Sequence, residues 1–190
     1  MKTIVWDVDD VLNDLMRCWF EQSWLLAHPE CKLKYENLKE NPPHKILGVS
    51  LKEYLASLDK FRISAKARKM RPVREVLDWF IKNGGSYRHM ILTSRPLRTI
   101  PDLSNWVFYF FGPWIRGFYF VPSEREGENI VKYDRDKYDY LKWFGKADIF
   151  IDDSPDNIQS AEKLGIKVIL MPRPWNKSRL TINKTLSLLK

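Results

Sequence analysis

Residues 3–12 read TIVWDVDDVL, an apolar run that stops at Asp7 and sets three carboxylates, Asp7, Asp9 and Asp10, into four positions. A short and almost wholly apolar run is the pattern of a strand buried on both faces of a parallel sheet. Ionised carboxylates this close repel one another and raise each other's pKa unless a cation or a proton lies between them. The stretch therefore predicts a buried strand over 3–8 whose carboxyl end carries an acidic site with a positive partner.

The same pattern recurs outward along the chain, at 88–93 (RHMILT), 117–121 (GFYFV), 148–151 (DIFI) and 167–170 (KVIL). Between these runs Val73, Val76, Leu77, Phe80 and Ile81 share a helical face over 73–82, stopped by Gly84-Gly85. Ser154-Pro155 opens a second helix, over 155–164, that ends before Gly165. Strands alternating with helices predict an α/β class, a Rossmann-like three-layer fold with a parallel sheet and helices on both faces. Residues 14–70 break the alternation. They are rich in Trp, Leu, Lys and Glu, and helical spacing links Trp19, Phe20, Ser23, Trp24 and Ala27, and again Tyr54, Leu55, Leu58 and Phe61. A small helical cap inserted after the first strand is expected over 14–70, with the core domain formed by 1–13 and 71–190.

Composition limits the classes of function. With 190 residues, 44% of them hydrophobic, the chain has room for one domain with a core. The first apolar run is too short for a signal peptide or a membrane span, so no membrane partner is expected. Cys18 and Cys31 stand alone, outside any Cys-x-x-Cys pattern, which suits the reducing cytoplasm better than a disulfide framework or a zinc site. His28, His44 and His89 are scattered and read as surface or capping residues. The net charge of +8 favours anionic partners, phosphorylated small molecules or nucleic acid. Residues 60–74 (KFRISAKARKMRPVR) hold seven basic groups and no acid. They read as a solvated face, with a cationic rim for phosphorylated substrates as the functional alternative. Nucleic acid is not favoured, because no recognised binding motif accompanies the run.

Ligands of open parallel sheets bind beyond the carboxyl ends of the strands. Read together, those positions bring Asp7, Asp9 and Asp10, then Thr93, Ser94 and Arg95, then Asp152, Asp153 and Asp156 to one edge. A carboxylate set without His or Cys is a hard oxygen site that suits Mg²⁺. Val11 and Leu12 stand where a calcium loop would need an oxygen ligand and a glycine. Glycine-rich nucleotide loops are absent.

WDVDDV resembles the first motif of the haloacid dehalogenase superfamily of phosphatases, MILTS its second and FIDDSPDN its acidic fourth, in that family's order and at strand ends. The resemblance implies a Mg²⁺-dependent phosphomonoesterase. Asp7 would be the nucleophile that forms an aspartyl-phosphate, and Asp9 a general acid and then base, which requires it to be poised near neutral pH. Thr93 would bond the phosphoryl group, and the metal would be held by Asp7, Asp152 or Asp153 and by the backbone at Asp9. Asp10 reads as a turn residue or a metal contact. The family's lysine is Lys137 or Lys142. Lys137 is preferred because it lies in the first turn of a helix beginning near Asp136, with Lys142 kept as a substrate-binding candidate and Lys146 as a surface charge. Ser94 and Arg95 are the other substrate-binding candidates, the arginine able to fork onto a phosphate or carboxylate. Residues 172–179 (PRPWNKSR) form a loop that either closes one side of the cleft or plays no part in it.

A narrower likeness lies outside these motifs. WVFYFFGP followed by an apolar strand, RDK and IDDSPD resembles the 5′(3′)-deoxyribonucleotidases and their bacterial and phage relatives, which implies a 5′-nucleotidase acting on (deoxy)nucleoside monophosphates beneath a small cap. SRPLR after Thr93 and a longer segment between RDK and the acidic motif depart from that family. Trp19, Phe20 and Trp24 would be the rings to stack on a base, whereas the nine aromatics of 106–120 read as core. The alternatives are a phosphatase for another small phosphorylated metabolite or a nucleic-acid end, and a non-enzymatic phosphate-binding or receiver-like protein. A receiver carries its acceptor acid at the third strand and has no insertion in the first connection.

Overall fold

The computed structural model describes residues 1–189. Five strands, β1 (Thr3–Trp6), β2 (Arg88–Arg95), β3 (Ile115–Pro122), β4 (Ile149–Asp152) and β5 (Lys167–Leu170), form one sheet in the order β3-β2-β1-β4-β5. Every pairing is parallel, so the predicted α/β architecture is the one observed. The period-two alternation of a strand sorts the two layers. Ile4 and Trp6 face the helices Arg74–Asn83 and Ile100–Phe111, where they meet Val76, Phe80, Val107 and Phe111. Val5 faces the helices Lys137–Phe144 and Pro155–Glu162, where it meets Leu141, Phe150 and Ala161.

The helix signals act as read. Ser154 accepts from the Asn157 amide with Pro155 in the first turn, and the helix ends at Glu162, two residues short of the expected 164. Asp136 caps the helix that begins at Lys137 by accepting from the Asp139 amide. Strand bounds differ. β1 stops at Trp6 instead of running to 8, because the Val8 carbonyl accepts the amides of Leu12 at 2.9 Å and Asn13 at 3.2 Å and so turns the chain. Asp10 completes that turn with φ of 59°, a left-handed conformation that Asp tolerates better than most residues. β2 and β3 extend further than expected and place Arg95 inside β2.

Two readings of side chains need correction. His89 is a core residue, fully buried on β2. The Trp6 indole, which can only donate, bonds His89 Nδ1 at 3.0 Å, so the ring carries its proton on Nε2 and donates it to the Gly84 carbonyl at 2.9 Å. The aromatic stretch 106–120 is core only in part. Trp106 and Phe111 are buried, but Phe108, Tyr109 and Tyr119 are exposed.

Between β1 and the helix Arg74–Asn83 the regular structure is helical, at Leu15–Trp19, Phe20–Trp24, Leu25–Ala27, Leu51–Arg62 and Ala65–Arg68, joined by long irregular segments. They close a hydrophobic cluster of their own, built from Trp19, Phe20, Trp24, Tyr54, Leu58 and Phe61. The chain enters and leaves this insertion at one point, where Asn13 bridges Pro72 and the Val73 amide bonds the Leu12 carbonyl at 2.9 Å. Both cysteines are free. No helix among the described residues is long and apolar enough to cross a membrane.

Candidate active site

The central strands end in the acidic site. Asp7 follows β1, Asp152 closes β4, and Lys137 reaches both from the first position of its helix, with Nζ 3.0 Å from Asp7 Oδ1 and 2.7 Å from Asp152 Oδ2. The lysine is only 4% exposed, so its charge depends on these two partners. Asp152 also accepts from the Ser154 amide at 2.8 Å and from Asn157 Nδ2, which engages both its oxygens. Asp153 accepts from Trp175 Nε1 at 2.7 Å through Oδ2. Asp7 Oδ1 takes the Val8 amide at 2.7 Å, while Asp7 Oδ2 accepts no hydrogen bond among the described residues.

One oxygen each from Asp7, Asp152 and Asp153 lie within 4.8 Å of one another. Three buried carboxylates therefore face one ammonium. Burial, against the pull of Lys137 and with the help of Asp152 and Asp9, pushes the Asp7 carboxyl up to about 7. Burial and the neighbouring Asp152 push Asp153 well above the usual carboxylate range. Burial would lower Lys137, but Asp152 and Asp7 outweigh it and hold the ammonium above its ordinary value. An all-oxygen set carrying this excess of negative charge fits a hard divalent cation such as Mg²⁺.

Asp9 stands apart from that trio. Arg95 forks onto it, with Nε 2.6 Å from Oδ2 and Nη2 on Oδ1; Asn13 Nδ2 adds a bond at 3.2 Å and Arg62 Nη2 lies at 3.4 Å. Burial would raise Asp9, yet Arg95 and then Arg62 overcome it and hold the carboxyl below its ordinary value. Asp9 is thus ionised here instead of poised near neutral pH, and the Arg95 fork is occupied instead of open to substrate.

Of the other expected residues, Thr93 is buried with its Oγ1 unpartnered, and Ser94 lines the site cavity. Lys142 is not brought in; five residues beyond Lys137, it lies exposed on its helix, as does Lys146 after it. Asp156 is exposed as well. Asp10 accepts from the Met16 amide at 3.0 Å, and burial, countered by Arg173, pushes it up to about 8. The 172–179 loop supports the site from behind. Arg173 Nε bonds the Asp10 carbonyl at 2.6 Å, Trp175 holds Asp153, and Asn176 Nδ2 bonds the Asp153 carbonyl at 2.9 Å.

Arg62 was hidden in the basic run. The other six cations of 60–74 are exposed, but the Arg62 side chain is one-tenth exposed and turns into the site. Its i+4 spacing from Leu58 and i+8 spacing from Tyr54, both buried, was the available signal. The cavity has a volume of about 180 Å³, with Asp7, Asp9, Tyr54, Leu58, Arg62 and Lys137 in its wall.

Metal-free stability has a defined pH dependence. The raised pKa values of Asp7 and Asp10 mean that the folded chain binds more protons than the unfolded chain above pH 4, so their contribution is lost as pH rises through about 7 and 8. His89, lowered by burial, works in the opposite sense only below its ordinary value of 6.5. From pH 6.5 to 8 in chelator, stability is therefore expected to fall by about 2 kcal/mol, read from urea midpoints. A midpoint that holds or rises over this interval contradicts the assignment.

No protein-family model matches the chain, and no curated protein matches it by sequence. Solved structures do match in three dimensions. A hydrolase from Streptococcus pneumoniae TIGR4 aligns over 100% of this chain and 99% of its own, with a TM-score of 0.62 at 12% identity. A HAD-superfamily hydrolase of subfamily IA, variant 1, from Geobacter sulfurreducens PCA aligns over 100% and 97%, with a TM-score of 0.57 at 15% identity. The fold is that of the HAD-type hydrolases. A Bacillus subtilis protein assigned to the HAD hydrolases, whose structure is bound to magnesium, aligns over 98% and 96%, with a TM-score of 0.52 at 14% identity. Among the described residues, the chain's own Asp7, Asp152 and Asp153 form the one acidic group close enough to share an ion.

Proposed function

We propose that the chain is a Mg²⁺-dependent phosphomonoesterase that works through an aspartyl-phosphate on Asp7, with residues 14–70 serving as a cap over a core of 1–13 and 71–190. The observation that carries this reading is Asp7 Oδ2, which is left free on a carboxyl whose other oxygen meets the buried Lys137. In the first half-reaction Asp7 Oδ2 attacks phosphorus, and the bond to the leaving oxygen breaks as that oxygen takes a proton from Asp9, which must first leave the Arg95 fork and take up a proton from solvent. Lys137 balances the charge on Asp7, and Thr93 donates to a phosphoryl oxygen. In the second half-reaction an ionised Asp9 takes a proton from the water that hydrolyses the aspartyl-phosphate, and the ionised, arginine-held Asp9 of this structure suits that half. A divalent cation held by Asp7, Asp152 and Asp153 would supply further neutralisation of the phosphoryl charge.

The cavity favours a compact substrate. Its volume of about 180 Å³ lies below the roughly 300 Å³ at which pockets for drug-sized ligands begin. Tyr54 is the one ring in its wall among the described residues, and Trp19, Phe20 and Trp24 are buried in the insertion's own cluster instead of facing the site. The likeness of WVFYFFGP, RDK and IDDSPD to deoxyribonucleotidases supports a second reading, a nucleoside monophosphate admitted when the insertion swings outward. Phosphate release from sugar phosphates, small phosphate esters, an aryl phosphate and nucleoside monophosphates, with and without Mg²⁺, tests both. Mg²⁺-dependent turnover with the highest kcat/KM on compact esters is expected. A preference for nucleotides selects the second reading, and no release from any ester overturns both.

A further inference from the structure

Arg62 makes an incomplete set of hydrogen bonds. Its Nη1 lies 2.9 Å from Asp59 Oδ1 and its Nη2 3.4 Å from Asp9 Oδ2, while its Nε is buried without a partner. A buried N–H left unpaired carries a free-energy cost, and Arg62 is one of the residues lining the cavity, so a ligand anion that shifts the side chain and completes this donor would recover that cost. The unused donor is also well placed. Nε and Nη2 form one edge of the guanidinium, the fork that meets a carboxylate or phosphate with two parallel bonds. Arg95 shows that geometry nearby, its own Nε and Nη2 both on Asp9.

Two guanidinium groups thus share one carboxylate that lines the cavity. Behind them Asp59, 2% exposed on the helix Leu51–Arg62, also accepts from Arg98 at 3.1 Å and from Arg125 at 2.6 Å, so Arg62 is anchored on Nη1, while its other edge carries only the long contact to Asp9. Four arginines meet three carboxylates in this chain of contacts, Asp9, Asp59 and the Glu128 that pairs with Arg98, which leaves one positive charge without a partner.

We propose that Arg62 and Arg95 form a subsite for a second anionic group carried by the leaving group, a carboxylate or a second phosphate, so that the preferred substrate class is a compact phosphomonoester with such a group a few bonds from the ester oxygen. The inference rests on the phosphomonoesterase reading above. In the substrate-free chain Asp9 stands in for that anion. When the anion takes the Nε and Nη2 edge of Arg62 and a share of Arg95, the ion pairs on Asp9 loosen, and Asp9 can take up a proton from solvent and turn to the leaving oxygen.

A matched pair of esters tests it. Propyl phosphate and 3-(phosphonooxy)propanoate have the same three-carbon chain and differ only in the terminal carboxylate, and the bisphosphate of propane-1,3-diol supplies the phosphate version. With Mg²⁺, the wild-type chain is expected to favour the two anionic esters in kcat/KM by about ten- to a hundredfold, the range that a charge-assisted hydrogen bond supplies. Arg62→Gln is expected to bring that ratio down to about threefold or less. Arg62→Lys, which keeps the charge and the pair with Asp59 but not the fork, is expected to retain part of the preference, and it carries the test if the glutamine variant does not fold. Equal kcat/KM for the neutral and anionic esters in the wild type overturns the inference and leaves the phosphatase reading intact. So does an Arg62→Gln variant that loses activity on all three esters in the same proportion, because a residue that only holds Asp9 or closes the site would not move the ratio. No hydrolysis of any of the three overturns the subsite, and the parent reading falls with it only if the wider ester panel also gives no phosphate.

Discussion

Asp7→Asn is expected to remove Mg²⁺-dependent phosphate release by at least about a thousandfold, the scale on which loss of a nucleophile falls, while the fold persists. The amide oxygen can still accept from the Val8 amide and from Lys137, so the contacts that seat the side chain survive. The substitution also removes one of three negative charges packed around one ammonium. The metal-free variant should therefore melt no lower than the wild type, and its melting temperature should respond less to Mg²⁺. Phosphate release and thermal unfolding on one preparation separate these effects. Turnover near the wild-type rate would mean that another group attacks phosphorus, and a collapse in stability would mean that the ionised carboxylate holds the turn after β1 in place.

Lys137→Met should give the largest loss of stability at the site. The lysine is the buried counter-charge of both Asp7 and Asp152, and breaking a buried pair by removing one partner typically costs about 3–5 kcal/mol. The loss should be fullest near pH 8, since at lower pH the stranded carboxylates can take up protons instead. A divalent cation should restore part of it, because the oxygens that the ammonium leaves are hard ligands. Urea denaturation at pH 8, in chelator and then in Mg²⁺, reads both effects. Equal midpoints for variant and wild type in chelator would show that the ammonium does not balance the site.

The sequence made the acidic edge legible because each part of it obeys a local rule. A buried strand must end, and both β1 and β4 run into acidic residues at their carboxyl ends. Asp136 caps a helix, which fixes Lys137 in the first turn and sends Lys142, five residues on, to another face. What failed were the long-range partners. Nothing near His89 announces Trp6, 83 positions away, so a core histidine looked like a surface one. Arg95 was found by its place after Thr93, but its union with Asp9 spans 86 positions and reverses the state expected of both residues. Arg62 was hidden by composition, as one cation among seven, though its spacing from Tyr54 and Leu58 set it apart. The end of β1 was misjudged for the opposite reason, since a turn closed on the Val8 carbonyl leaves no mark in an apolar pattern that continues to Val11 and Leu12.

The insertion leaves the sheet and returns to it where Asn13 bridges Pro72 and Val73 bonds Leu12, and it fills its interior largely with its own side chains. Substitutions in that interior weigh on the insertion's stability and only weakly on the strands that carry Asp7 and Asp152. Inheritance can therefore act on the two parts at different rates. The acidic edge can stay fixed over long divergence while Tyr54, Leu58 and Arg62 are exchanged for other side chains, so descendants of this chain could acquire new specificities without rebuilding the chemistry beneath.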